Sequence, residues 1–349
     1  MSRPCGIFND SYNKDVAIIR TRLQWGLFIG FLVLLFAVPL LVQGYMISFL
    51  INIGITLIVA LGLNILLGYC GQISLGQSAF MAVGAFTSAL LVVRLGISFW
   101  LALPLAGIVA GLVGMLFGST SARLRGFYLA LATLVAQFIL IYVIIHFFGG
   151  SHGVRVPSPS IAGMALDSEP KYYYVVMIVA ALLTYFAKNL MRSKTGRAFI
   201  AIRDNDIAAE TMGINVIRYK LAAFFVGCFY AGIGGALWVF WLGSALAEQF
   251  TLIDSIWYLA IITVGGMGSI TGTIFGTVFI RGIVELSQRL APIIGQAIPA
   301  LEITLIGSLP DILVGLSIVL FLIFEPRGLY HVWQKFKLSY RLHPFSHWE

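Results

Sequence analysis

Of the 349 residues, 60% are hydrophobic and 10% are charged, and the mean hydropathy is +0.96. Soluble domains carry about a quarter charged residues, so this apolar surplus excludes a soluble globular chain and places most side chains in or against lipid. The net charge of +8 then belongs to membrane topology and anionic lipid, not to nucleic acid.

The chain opens with Arg3, Lys14, Arg20 and Arg22 ahead of an apolar run from Trp25 to Val42. No small-x-small cleavage site follows and another apolar run begins at once, so 1–24 leads into an uncleaved first span. A helix needs about 20 residues to cross a hydrocarbon core of about 30 Å. Runs of that order recur at 46–67, 79–93, 99–118, 126–148, 172–191, 220–243 and 309–325. The stretch 255–285 is too long for one straight span and is interrupted by "GGMGSITG", which predicts two short crossings or a re-entrant pair. The expected fold is an all-α polytopic membrane protein of eight to ten spans, ten being preferred, with glycine-broken helices.

Basic residues crowd the N-terminus, Arg123 and Arg125, the 188–220 stretch with seven of them, and the tail from Arg327 to Arg341. Cytoplasmic loops collect Lys and Arg. Ten spans with both termini cytoplasmic satisfy all four clusters and leave 149–171, with Ser158, Asp167 and Glu169, outside together with 286–308. The expected division is a transmembrane domain over 25–326, with a cytoplasmic loop at 192–219, and a cytoplasmic tail at 327–349. "GYCGQIS" (68–74) and "GGMGSIT" (265–271) share G-x-x-G-[QS]-I-[ST], and duplicated glycine breaks in two halves of a membrane protein point toward a transport path.

Enzyme chemistry is absent. No Gly is followed by Lys, so there is no phosphate-cradling G-x-x-x-x-G-K-[ST] loop, and there is no HExxH. His146, His152 and three histidines near the C-terminus have no metal-ligand spacing, and no Ser/His/Asp set forms, so neither a metal nor a cofactor is expected. Cys5, Cys70 and Cys228 lie far apart and read as small apolar side chains. Between Trp25 and Phe80 there is no Asp, Glu, Lys, Arg or His. Proton- or sodium-coupled carriers keep intramembrane carboxylates, whereas Glu285, Glu302 and Asp311 lie near expected span ends and Arg281 is spaced to pair with Glu285 at i,i+4. The driving energy therefore comes from elsewhere.

The polar stretch "SKTGRAFIAIRDNDIAAETMGINVIRYK" (193–220) interrupts this apolar chain. Asp204 suits an N-cap and Gly213 a stop, enclosing a helix of about two turns. Ala208 and Met212 give it an apolar edge, and Asp206 and Glu210 an acidic one whose like charges cost a few tenths of a kcal/mol. So short a helix is marginal alone and calls for a partner surface; a solvated loop is the other reading. Within or beside the spans, Asn64, Gln72, Ser74, Gln77, Ser78, Thr133 and Gln137 are polar without charge. They suit a passage for a small zwitterion or neutral solute, or equally hydrogen bonds between helices.

"GRAFIAIRDNDIAAETMGINVIRYKLAAF" resembles the cytoplasmic coupling region of the Liv-type ABC-transporter permeases, the branched-chain amino-acid importers. "GYCGQISLGQSAFMAVGAF" (68–86), "LRGFYLALATL" (124–134), "ITVGGMGSITGTIFG" (262–276) and "LFLIFEPRGL" (320–329) resemble further motifs of that family in the same order, over about 45–330. The longer, M-type member fits best. Where the family often has SLGH, this chain has Ser74-Leu75-Gly76-Gln77, so that position has no titratable ring. The resemblance implies an importer permease fold and a second Liv-type permease subunit as heterodimer partner. It also implies two ABC ATPase subunits that bind the ATP, an extracytoplasmic solute-binding protein, and residence in a bacterial cytoplasmic membrane. It assigns Arg203, Asp204, Asp206, Ala208, Ala209, Glu210 and Gly213 to ATPase coupling, and leucine, isoleucine and valine as cargo, with urea, amides and aromatic acids as alternatives. A passive channel or an ion-coupled carrier is the different class, opposed by the acidic two-turn helix and by the scarcity of intramembrane carboxylates respectively.

Overall fold

The computed structural model describes residues 44–121, 126–149, 153–161, 164–165, 168–297 and 302–342, with Gly26, Gly30, Leu35, Phe36 and Pro39. The expected span at 25–42 lies otherwise outside the described residues, as do Cys5, Arg123, Arg125 and Asp167. Each remaining apolar run forms a helix: α1 (Tyr45–Leu63), α2 (Gln77–Leu95), α3 (Phe99–Ser121), α4 (Phe127–Phe147), α5 (Glu169–Arg192) and α8 (Val216–Leu242). The final turns of α1 widen into a π-helix at Asn64–Tyr69. The polar stretch forms α6 (Lys194–Asp204) and α7 (Asp206–Thr211). Beyond α8 come α9 (Leu252–Gly265), α10 (Ile270–Ala297), α11 (Glu302–Phe324) and α12 (Leu329–Leu342).

Among the described residues, seven helices are long and apolar enough to cross a membrane, or eight counting a pair from α11 and α12 bent by 47°. The preferred count of ten is not confirmed by these helices, which leave out the expected span at 25–42. Helix α9 has 14 residues, about 21 Å of rise, too little for a core of about 30 Å. The 255–285 stretch is thus a part-crossing followed by a full one, joined at Gly266–Ser269. The expected outer loop at 286–308 is instead largely helical, because α10 runs on to Ala297 and α11 begins at Glu302. Arg289 pairs with Glu285 at 2.9 Å one turn apart, supporting that extension.

Helix α8 is the centre of the packing, with α1, α2 and α3 against it. On α3, Gly107, Gly111, Gly114 and Gly118 follow one helical stripe and receive Phe229, Phe225, Cys228 and Phe224 of α8. On α2, Gly84 abuts the backbone of Gly232. Helices in lipid gain little from excluding water, and small residues let backbones approach for dispersion contact. The two ends of α8 lie about 40 Å apart and carry different structures. Near Val216 sit α6 and α7. Beyond Leu242, β1 (Val154–Arg155) pairs antiparallel with β4 (Ser244–Ala245), and β2 (Ser160–Ile161) pairs with β3 (Met164–Ala165). The described residues of the 149–171 stretch therefore lie at the end opposite the polar helices.

Candidate functional site

The polar helices are anchored, not suspended. Ser193 caps α6, its Oγ accepting from the Gly196 amide at 3.4 Å, and Ala198, Phe199 and Ile202 bury one side of it. This sets aside the solvated-loop reading. Between α6 and α7 the backbone opens to an extended conformation at Asn205, whose Oδ1 accepts from the amides of Ile207 and Ala208 at 3.1 and 3.0 Å. Asn205, not Asp204, is the N-cap. Asp204 is still within α6, and its carboxylate accepts from Arg203 at 2.9 Å, so it cannot take the extended capping conformation. Losing an Asn cap costs about 1 kcal/mol. Asn205→Ala is thus expected to speed amide exchange at Ile207 and Ala208 about fivefold, measured by hydrogen exchange in detergent.

Gly213 ends α7 as expected. With φ of 84°, its amide donates to Glu210 O at 3.0 Å and the Ile214 amide donates to Ala209 O at 3.0 Å, the paired closure of a Schellman motif. Two expected coupling residues face inward. Ala209 is 4% exposed and packs into the protein's own core, so it is not part of an outward surface. Asp206 is half-buried and lies 3.6 Å from Lys220 of α8, which offsets the like charge of Glu210 one turn on. Outward are Ala208, Glu210 and Gly213, joined by two apolar side chains, Ile207 at 59% and Met212 at 83% exposure. Met212 was expected on this edge; Ile207, missed in the sequence, joins it.

Arg203 connects this surface to the membrane helices. Its Nη1 donates to Gly68 O at 2.9 Å. A Cβ placed on Gly71 or on Gly268 would lie 3.0 or 2.9 Å from Arg203 side-chain atoms, and both glycines have positive φ, 72° and 75°. The two sequence echoes, 68–74 and 265–271, thus share one backbone conformation at their second glycine and meet at one arginine. Asn64 completes the joint: its Nδ2 donates to Ser269 O at 3.1 Å and Thr273 Oγ1 at 2.9 Å, and its Oδ1 accepts from the Gly268 amide at 2.9 Å.

Every expected path residue is buried, and most are bonded between helices. Gln77 donates to Val59 O and Gly227 O at 3.3 and 3.2 Å. The Leu75 amide donates to Thr133 Oγ1 at 3.0 Å, the Ala79 amide to Gln137 Oε1 at 2.9 Å, and Gln137 Nε2 to Phe250 O at 3.1 Å. Ser74 Oγ accepts a long 3.4 Å bond from the Gly76 amide. Three members keep idle atoms among the described residues: Ser78 Oγ, Gln77 Oε1, and both amide atoms of Gln72. Gln72 is 2% exposed and lines a cavity of about 330 Å³ with Cys70, Arg203, Asp204, Asp206 and Lys220. This cavity lies where the first glycine break meets α6 and α7. Burial raises the Cys70 thiol to about 12, against a weaker lowering by Lys220, so it stays protonated near neutrality.

The expected pairing of Arg281 with Glu285 does not form. Glu285 accepts from Arg289 at 2.9 Å and from the Tyr45 hydroxyl at 2.6 Å. Arg281 Nε donates instead to Thr56 Oγ1 at 2.9 Å. Among the described residues, no group of three or more His, Cys, Asp or Glu could hold a metal ion.

The family described as "Branched-chain amino acid transport system / permease component" matches residues 45–322. The chain is 34% identical over 253 residues to the Salmonella typhimurium high-affinity branched-chain amino acid transport system permease protein LivM, covering 65% of this chain and 60% of that one. It is 34% identical over 271 residues to the Escherichia coli protein of the same name, covering 67% and 64%. A guanosine ABC transporter permease protein of Bacillus subtilis, NupQ, is 24% identical over 204 residues, covering 52% and 61%. The match thus spans 60% and 64% of the length of the two LivM proteins. No solved structure matches the chain.

Proposed function

The chain belongs to the family of branched-chain amino acid transport permease components, and on that premise we propose that it is a membrane subunit of an ATP-driven, binding-protein-dependent importer of leucine, isoleucine or valine. It forms half of a translocation path with a second permease subunit. Two ATPase subunits bind and hydrolyse the ATP and grip α6 and α7 from the cytoplasm. A solute-binding protein delivers cargo at the opposite face, where the 149–171 strands lie, and both termini are cytoplasmic.

The observation that carries this reading is the position of Arg203. A push on α7 reaches Gly68 and the backbones at Gly71 and Gly268 through one side chain, so movement of the docking surface moves both helix breaks together. The like charge of Asp206 and Glu210, balanced by Lys220, and the exposed Ile207 and Met212 suit an apolar groove rimmed by basic residues on an ATPase.

Vesicles reconstituted with both permeases, both ATPases and the binding protein are expected to accumulate leucine only with ATP, and vesicles holding this chain alone to accumulate none. Uptake by the chain alone would overturn the reading in favour of a channel or carrier. Arg203→Met is expected to reduce uptake about tenfold while the ATPases still co-purify, since the loss of a charged hydrogen bond is worth about 1.5–3 kcal/mol.

A further inference from the structure

We propose that Arg281, with Thr56 and Trp257, forms a carboxylate-binding site at mid-depth in the membrane, which takes the α-carboxylate of the amino acid during its passage. The inference rests on the importer reading for its cargo and adds to it a site within the membrane helices.

Depth comes first. Ile270 starts α10 at the end where Arg203 lies, and Arg281 follows eleven residues later, about 16 Å along the helix and half-way through a core of about 30 Å. Thr56 lies eleven residues into α1 from its opposite end at Tyr45, so its partner sits at the same level. An arginine at this depth is retained for function or for a partner. Among the described residues, no carboxylate lies within 4.0 Å of it. The carboxylates of the neighbouring helices are occupied: Glu285 by Tyr45 and Arg289, Asp254 by the amide and hydroxyl of Thr251 in a capping box, and Asp311 by Trp257 Nε1.

The neighbours orient the guanidinium, and no carboxylate among the described residues bonds to it. Its Nε donates to Thr56 Oγ1, and Thr56 in turn donates to Asn52 Oδ1 at 3.2 Å. The guanidinium carbon stands 5.6 Å from the Trp257 ring centroid, and Trp257 is held in turn by donating from Nε1 to Asp311 Oδ1 at 3.0 Å. An arginine has five donors in a planar fork matched to a carboxylate, and one is used. Among the described residues the two terminal nitrogens of the fork donate to no acceptor. Beside it a Cβ on Gly282 would touch nothing within 4 Å, and Val278 and Leu286 are exposed one turn to either side, leaving apolar room for an aliphatic side chain. Lipid headgroups are excluded as the source, because their charges lie at the interface about 15 Å away.

The test uses the complete transporter in lipid nanodiscs, titrated with L-leucine and with L-leucinamide, which keeps the side chain and the ammonium and lacks the carboxylate. The readout is the Trp257 fluorescence, obtained as the difference between the wild type and Trp257→Phe. Leucine is expected to half-saturate at a concentration at least about tenfold below leucinamide. Arg281→Met is expected to erase that preference and to cut ATP-driven leucine uptake tenfold or more, with the complex still eluting as one species. Arg281→Lys, which keeps the charge but not the fork, should retain part of both. Equal responses to the two ligands in the wild type, or a preference that survives Arg281→Met, would overturn the site. So would restoration of Arg281→Glu by a basic substitution in the second permease, which would assign the anion to that subunit. A wild-type complex that prefers leucine but never transports it with ATP would count against the importer reading and leave the site standing.

Discussion

Gly213→Val is expected to abolish most uptake while leaving insertion and the membrane helices intact. A Cβ at this position would meet nothing within 4 Å, so sterics with the rest of the protein are not the cause. The cause is local: φ is 84°, and an L-residue in the left-handed region loses about 1–2 kcal/mol, more when β-branched. Helix α7 has six residues and is closed by two hydrogen bonds around Gly213, and a helix that short has no reserve of its own. A loss of that size lowers the population of the folded α7 about tenfold or more. ATPase subunits gripping a frayed segment are expected to hydrolyse ATP without moving cargo, so the ratio of leucine taken up to ATP consumed falls at least tenfold in proteoliposomes. Gly213→Asn, which tolerates the left-handed region, should keep most of the coupling. A valine variant with normal coupling would remove α7 from the mechanism.

How far the sequence spoke depends on the range of the interaction. Span boundaries came within a few residues of α2, α3, α4, α5 and α8, because hydropathy over about 20 residues is a local property. The Gly213 stop was legible because only one residue type adopts that backbone at no cost. Asp204 and Asn205 are both good caps and adjacent, so composition could not locate the break between α6 and α7; only the extended backbone at Asn205 does. Ala209 enters the coupling set through the family resemblance, and six residues give too little periodicity to show that its side faces inward. Arg281 and Arg289 stand equally spaced from Glu285 at i,i+4, and the choice was made by Tyr45, 240 residues away in sequence. The polar residues Asn64, Gln77, Thr133 and Gln137 likewise find their partners far along the chain. Their spacing showed that they were polar within spans but not what they touched. The glycine echo at 68–74 and 265–271 was visible as repetition, whereas its meeting at Arg203 required the fold.

Gly235→Leu is expected to prevent folding of the central packing altogether. Gly235 lies on the face of α8 that meets α2, where a Cβ would collide with the Met81 carbonyl and come within 3.1 Å of the Ala85 amide nitrogen. Three residues earlier, Gly232 meets Gly84, again backbone to backbone. Neither contact can be relieved by turning a side chain, because the obstructing atoms are main chain on both sides. The helices must separate instead. Separation would open the seam that also carries the Gln77 bond to Gly227 O, so several interactions fail together. Overpacking of this kind costs about 3 kcal/mol or more, and in lipid no hydrophobic gain drives the helices back together. Detergent-extracted Gly235→Leu should therefore elute as aggregate, and Gly235→Ala should unfold at a lower temperature than the wild type. Gly282→Ala supplies the contrast. With nothing within 4 Å of its Cβ and an ordinary helical backbone, it is expected to be neutral or stabilising by about 0.5–1 kcal/mol. If the two alanine variants melted alike, close backbone approach between α2 and α8 would not be what holds this bundle together.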